Sequence, residues 1–133
     1  MPNLYDQFQN LTEDEKIYLL KHPFHASSIK ESKEKAFAET KKIFGVNGRN
    51  DSSDAFRHCY WSALLSKELG YLNALEFTTA HESSPVNPKN EKEMDLYNNA
   101  IGLKIGQNKD VTDSLSAQCM SALKGGKLKV IKK

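Results

Sequence analysis

The chain has 133 residues, 38% of them hydrophobic and 27% charged, with a formal net charge of +2. Such a chain is long enough for one domain with a real core. No apolar run approaches the ~18 residues of a membrane span, and the small net charge argues against nucleic acid as a partner. The two cysteines, Cys59 and Cys119, make no disulfide framework and are expected to be buried small hydrophobes.

In chain order, Asn3 to Gln9 is expected to form a short helix with Leu4, Tyr5 and Phe8 inward. Thr12-Glu13-Asp14-Glu15 is a capping box. It opens a helix through Ile17, Leu19 and Leu20 that stops before Pro23. His22 and His25 flank that proline as surface or helix-end residues. Ile29, Ala36, Phe37, Ile43 and Phe44 recur at helical spacing, predicting a helix over 26–44 with Gly45 at its end. Val46 to Ser52 is a turn-rich loop, with Asn47, Arg49 and Asp51 placed to border whatever site follows.

The next helix, about 53–69, is the centre of the chain. Ala55, Phe56, Cys59, Tyr60, Trp61, Ala63, Leu64 and Leu65 make it apolar on nearly every side, so it is expected to be buried. Ser52 or Ser53 is placed to cap its start, and Gly70 to take a left-handed conformation at its end. Asp54, Arg57 and His58 lie inside it, and Asp54 shares a face with His58 four residues on. Charged groups in such surroundings cost several kcal/mol unless they are paired or bound to a metal.

A helix over 71–82 follows, with Leu72, Leu75 and Phe77 inward, ending in His81-Glu82. Ser83 to Asn90, broken by Pro85 and Pro88, is expected to form a mobile rim. Asn90 and Glu93 resemble a second capping box, opening a helix to Ile105. Met94, Tyr97, Ala100, Ile101 and Ile105 form its apolar face, while Asp95, Asn98, Asn99 and Gly102 form a polar one. A mid-helix glycine costs about 1 kcal/mol, which a close approach to the central helix would explain. Val111 to Leu123 is expected to be the last helix, capped by Asp110 or Thr112. Residues 125–133 read as a short strand or a flexible basic tail. The expectation is an all-α single domain of five to seven helices.

Three polar clusters stand in apolar surroundings: Asp54/Arg57/His58, His81/Glu82 and Asp95/Asn98/Asn99. Two chemistries fit them. In one, His58, His81, Glu82 and Asp95 are drawn on to hold a divalent metal ion that activates water on an ester or phosphoester. In the other, His58 is a general base oriented by Asp54 or Asp95. In both, Arg57, Asn98 and Asn99 contact substrate, and Asp54, His58, Glu82 and Asp95 carry the catalysis. The rival is structural: a buried hydrogen-bonded network in a non-enzymatic binding or adaptor module.

Asn47-Gly48, Asp54-Ala55-Phe56-Arg57-His58 with Trp61, Ala80-His81-Glu82, and Met94-Asp95-Leu96 with Asn98-Asn99 and Gly102 resemble an uncharacterised bacterial domain family. That family stands alone or ends long RHS-type or wall-associated polymorphic toxins. The resemblance spans roughly residues 11–106. It implies a helical domain with a polar centre, acting as an effector toxin that a cognate immunity protein neutralises. Arg57-His58 with Tyr60 is also similar to the catalytic helix of small secreted phospholipases A2. It departs from them at Cys59, where those enzymes carry aspartate, and in having no matching disulfides.

The resulting expectation is a metal-assisted effector hydrolase for an ester or phosphoester, lipid-type substrates favoured, with a nuclease as a third reading. Met1 to Asn10 lacks the basic and apolar regions of a signal peptide. The expected location is the bacterial cytoplasm, or export as an effector.

Overall fold

The computed structural model describes residues 10–132, so the helix expected over 3–9 lies outside the described residues. The Thr12 hydroxyl accepts the Glu15 N–H at 3.1 Å, and the Glu15 carboxylate accepts the Thr12 N–H at 2.9 Å. This capping box starts α1, Glu13–Lys21. A 3-10 turn, Pro23–His25, leads into α2, Ala26–Phe44, which Gly45 closes at φ +77°. There follow α3 (Ser52–Leu69), α4 (Tyr71–His81), α5 (Lys89–Gln107) and α6 (Leu115–Lys124). Among the described residues there is no strand, and the protein is the all-α single domain its sequence predicts.

Several caps and helix ends differ from expectation. Asp51, not Ser52 or Ser53, caps α3, its carboxylate accepting the Asp54 N–H at 3.0 Å. Pro88 precedes α5 without any side-chain cap, so Asn90 and Glu93 form no capping box. Proline at the helix entrance has its backbone fixed in advance and lacks the N–H that would need a partner. The last helix begins at Leu115 with Ser114 as its cap, later than Val111. Gly70 has positive φ (+86°), but its ψ of 156° is extended rather than left-handed helical.

α2, α4, α5 and α6 all pack on α3, while α1 packs chiefly on α4. Ala55, Phe56, Cys59, Ala63 and Leu65 are completely buried, as a helix apolar on all sides requires. α3 makes its most extensive contact with α5, and the approach is set by glycine. A Cβ on Gly102 would fall on the Cys59 carbonyl, and one on Gly106 on the Ala63 carbonyl. Both pairs are four residues apart, so two turns of α5 lie backbone to backbone on two turns of α3. Ser66 spans the same seam, donating to the Leu103 carbonyl at 2.9 Å.

That seam is the close approach expected at Gly102, and it buries the polar face of α5 as well as Met94. Asn98, Asn99 and Gly102 are buried alongside Met94 and Leu103, while Tyr97 is 49% exposed. The asparagines tolerate burial because their amides are partnered. Of the residues expected inward on α4, Phe77 is buried, but Leu72 and Leu75 are 77% and 39% exposed, and Ala74 is buried beside Phe77.

The chain after α6 is irregular but fixed. Leu128 is buried, and the Asn98 amide makes two 2.8 Å hydrogen bonds, to the Lys129 N–H and carbonyl. The Lys132 N–H donates to the Asn50 carbonyl at 2.7 Å. Residues 127–132 are therefore neither a strand nor a loose tail. Cys59 and Cys119 are free, fully buried thiols in contact at 3.2 Å.

Candidate active site

His58 is the hub. It lies in the second turn of α3, and its Nδ1 is 2.9 Å from Asp54 Oδ1 and 3.1 Å from the Asp54 carbonyl. The i, i+4 spacing read from the sequence produces this pairing. Asp54 is held from three sides. The Asn50 N–H donates to it at 2.6 Å, Arg57 Nη2 at 2.7 Å, and His58 completes the set. Asn50 presents its N–H from a left-handed conformation, φ +65°, which asparagine tolerates better than most residues. Arg57 also donates to the Gly48 carbonyl at 3.0 Å and to Asn47 Oδ1 at 3.2 Å. Its guanidinium lies 4.9 Å over the Phe37 ring. The loop before α3 is thus latched onto the helix that carries the site.

The other imidazole nitrogen faces acid. His58 Nε2 is 3.5 Å from Asp95 Oδ1 on α5 and 3.6 Å from Glu82 Oε2, just past the end of α4. These separations are too long for good hydrogen bonds. Asp95 Oδ1 is buried and has no hydrogen-bond partner. Asp54, His58 and Asp95 each offer a ligand atom, all within 4.8 Å of one another, a group able to hold a metal ion.

Glu82 is placed from behind. Asn99 Nδ2 donates to its Oε2 at 3.3 Å, and Asn99 Oδ1 accepts from the Ser62 hydroxyl at 3.0 Å. The end of α4 is fixed by Thr12 and Ser83, whose hydroxyls donate to the Ala80 carbonyl at 2.8 and 2.6 Å.

These contacts set the charges. Burial opposes ionisation of His58, but the Asp54 hydrogen bond and the Asp95, Asp54 and Glu82 charges win, pushing the imidazole up to about 9. Burial, with the charges of Glu82 and Asp54, pushes Asp95 up to about 7 against the pull of His58. Burial also opposes ionisation of Asp54, yet its contacts with His58, Asn50 and Arg57 hold its carboxyl below the usual range.

A pH prediction follows for the chelated protein. The raised His58 value makes its proton stabilising: the contribution is complete below about 6.5 and lost as pH rises through about 9. The Asp95 proton is lost on the way, near pH 7. We expect the melting temperature in chelator to fall by about 10 °C between pH 6.5 and 9.5, for a loss of about 2–3 kcal/mol. A flat profile would show that His58 does not bind its proton more tightly in the folded state.

Two cavities meet at this hub. The larger, about 410 Å³, opens over Asp54, His58, Glu82 and Asp95. Ser84, Val86, Asn87 and Pro88 rim it, the stretch expected to form the border of the site. The smaller, about 200 Å³, lies on the other side of Arg57 and His58, against α2.

The structure therefore gathers Asp54, Arg57, His58, Glu82 and Asp95. His81 stands beside them, lining both cavities, but its Nδ1 is 2.9 Å from Glu15 Oε2 and its ring packs edge-on to Trp61 at 5.0 Å. Asn98 is elsewhere, holding the tail, and Asn99 is behind Glu82. Neither lines these two cavities: Asn98 hydrogen-bonds the Lys129 backbone, and Asn99 hydrogen-bonds Glu82 and Ser62. Of the loop residues, Arg49 pairs with Glu91 at 2.7 Å at the cavity edge, Asn47 supports Arg57, and Asp51 is a cap. Sequence reasoning missed Asn50, Ser62 and Glu15 as supports. Ser62, four residues beyond His58, carried a readable signal. Glu15 was hidden because its capping role accounted for it.

Residues 16–127 match the profile of a family described as a domain of unknown function, DUF6973, and the chain belongs to that family. No solved structure matches the chain.

Proposed function

We propose that the protein is a divalent-metal-assisted hydrolase of an ester or phosphoester, working as an effector toxin. One observation carries the reading: a buried carboxylate oxygen of Asp95, with no hydrogen-bond partner among the described residues, stands 3.5 Å from an imidazole nitrogen whose other nitrogen is fixed by Asp54. Two ligands about 2.1 Å from one tetrahedral ion lie about 3.4 Å apart. The Nε2 separations from Asp95 and Glu82, 3.5 and 3.6 Å, suit that spacing and suit hydrogen bonds poorly.

In this arrangement His58 Nε2 and Asp95, two of the three residues whose ligand atoms lie within 4.8 Å of one another, are ligands, and Glu82, 3.6 Å from Nε2, adds a third. Asp54 takes the Nδ1 proton and fixes the ring, the common pattern behind a metal-bound histidine. An ion held there would lower the pKa of its bound water, so that hydroxide would be available near neutral pH, and would polarise the scissile bond. Arg57 faces both cavities and meets the anionic oxygens of the substrate. The toxin setting is supported by the resemblance of the motifs to the C-terminal domains of polymorphic toxins, with a cognate immunity protein as the natural partner. No described helix is long and apolar enough to cross a membrane.

Hydrolysis of a model phosphodiester and a model carboxylic ester, each with zinc, manganese, magnesium or calcium, tests the reading. Wild type is expected to cleave one class in an ion-dependent way, and folded His58→Ala to lose at least about 100-fold. Full activity in His58→Ala would overturn it.

A further inference from the structure

The two cavities have opposite chemistry. Four carboxylates, Asp54, Glu82, Glu91 and Asp95, line the larger one. The smaller has none: Lys33, Phe37, Arg57 and Trp61 form its wall, and it shares His58 and His81 with the larger. Lys33 is exposed on α2 and makes no ion pair among the described residues, although its neighbours Lys30 and Glu34 pair with each other at 3.8 Å. Trp61 is 6% exposed, and its indole N–H is buried without an acceptor. A buried donor without an acceptor costs about 1–3 kcal/mol. The wall thus combines an ammonium, a guanidinium and two aromatic rings.

We propose that this smaller cavity is a binding subsite for a phosphate carried on an aromatic or alkyl group. The phosphate oxygens accept from Lys33 and Arg57, and the organic group packs against Phe37 and Trp61. Because Arg57 and His58 border both cavities, a ligand seated here extends toward the carboxylates. Its role as part of a substrate rests on the hydrolase reading; binding itself needs no metal.

Trp61 is the single tryptophan of the chain, so its fluorescence reports this cavity directly. The chelated protein is titrated with phenyl phosphate, hexyl phosphate, inorganic phosphate and benzyl alcohol. At least one organic phosphate is expected to give a saturable change, about tenfold tighter than inorganic phosphate or benzyl alcohol. Tighter binding of phenyl phosphate assigns an aryl or nucleotide-like source, and tighter binding of hexyl phosphate a lipid-like one. Lys33→Glu is expected to weaken binding about tenfold with its melting temperature unchanged. No saturable change with either organic phosphate, equal affinity for inorganic phosphate, or unaltered affinity in Lys33→Glu would overturn the subsite. An ion-induced melting shift that persists in such a case would leave the hydrolase reading standing.

Discussion

Gly102→Ala is expected to be the most damaging single-methyl change in the protein. The added Cβ has nowhere to go: it meets the Cys59 carbonyl, and the Cys59 backbone carbon lies 2.8 Å away. Neither is a flexible side-chain end that can swing aside. Relief requires α5 to move off α3, and that movement would open the Ser66–Leu103 and Ser62–Asn99 hydrogen bonds along the same seam. Overpacking of a tight core costs about 1–3 kcal/mol, and more where backbone must shift. Alanine gains up to about 1 kcal/mol in helix propensity over glycine, too little to offset this. The expected result is a loss of about 3 kcal/mol or more in urea unfolding, or no folded protein at all. Wild-type stability in Gly102→Ala would mean that α3 and α5 are not in backbone contact.

The second large effect has the opposite sign. Asp95→Asn is expected to stabilise the chelated protein at pH 8. There the wild-type carboxylate is ionised at a cost, because burial and the charges of Glu82 and Asp54 push it up to about 7. An amide of the same shape carries no charge to desolvate. After allowing for the lost attraction to His58, the gain is expected to be about 1–2 kcal/mol. Metal response and activity should disappear in the same variant, the usual exchange between function and stability at a site. A buried structural network predicts the reverse, a strong destabilisation when one member is removed. Chemical unfolding of both proteins in chelator separates these outcomes.

What the sequence disclosed depended on whether the signal was local. The capping box at Thr12, the stop at Pro23, the left-handed close at Gly45 and the buried centre at 53–69 are set by neighbours within a few residues, and all were readable. The pairing of Asp54 with His58 was readable for the same reason. The partners of α5's polar face were not legible: Asn98 and Asn99 bond the Lys129 backbone, Ser62 and Glu82, which lie 31, 37 and 17 residues away. Only the folded chain shows that these amides are satisfied inside. The expectation failed at Leu72 and Leu75: they are apolar yet exposed, as single apolar residues on a protein surface often are. The second cavity was invisible, since its parts come from α2, α3 and the end of α4.

Thermal melting of the purified protein tests the metal centre most directly. The protein is stripped with chelator, then given zinc, manganese, magnesium and calcium in turn, with His58→Ala beside wild type. An ion at 100 times its dissociation constant adds about 2.7 kcal/mol, roughly 10 °C for a chain of this size. Such a rise is expected in wild type for at least one ion, growing from pH 6.5 to 8 as ligands shed protons, and absent in His58→Ala. No rise with any ion, together with a His58→Ala protein that melts far below wild type, would contradict the metal centre and leave His58 and its carboxylates as a structural network.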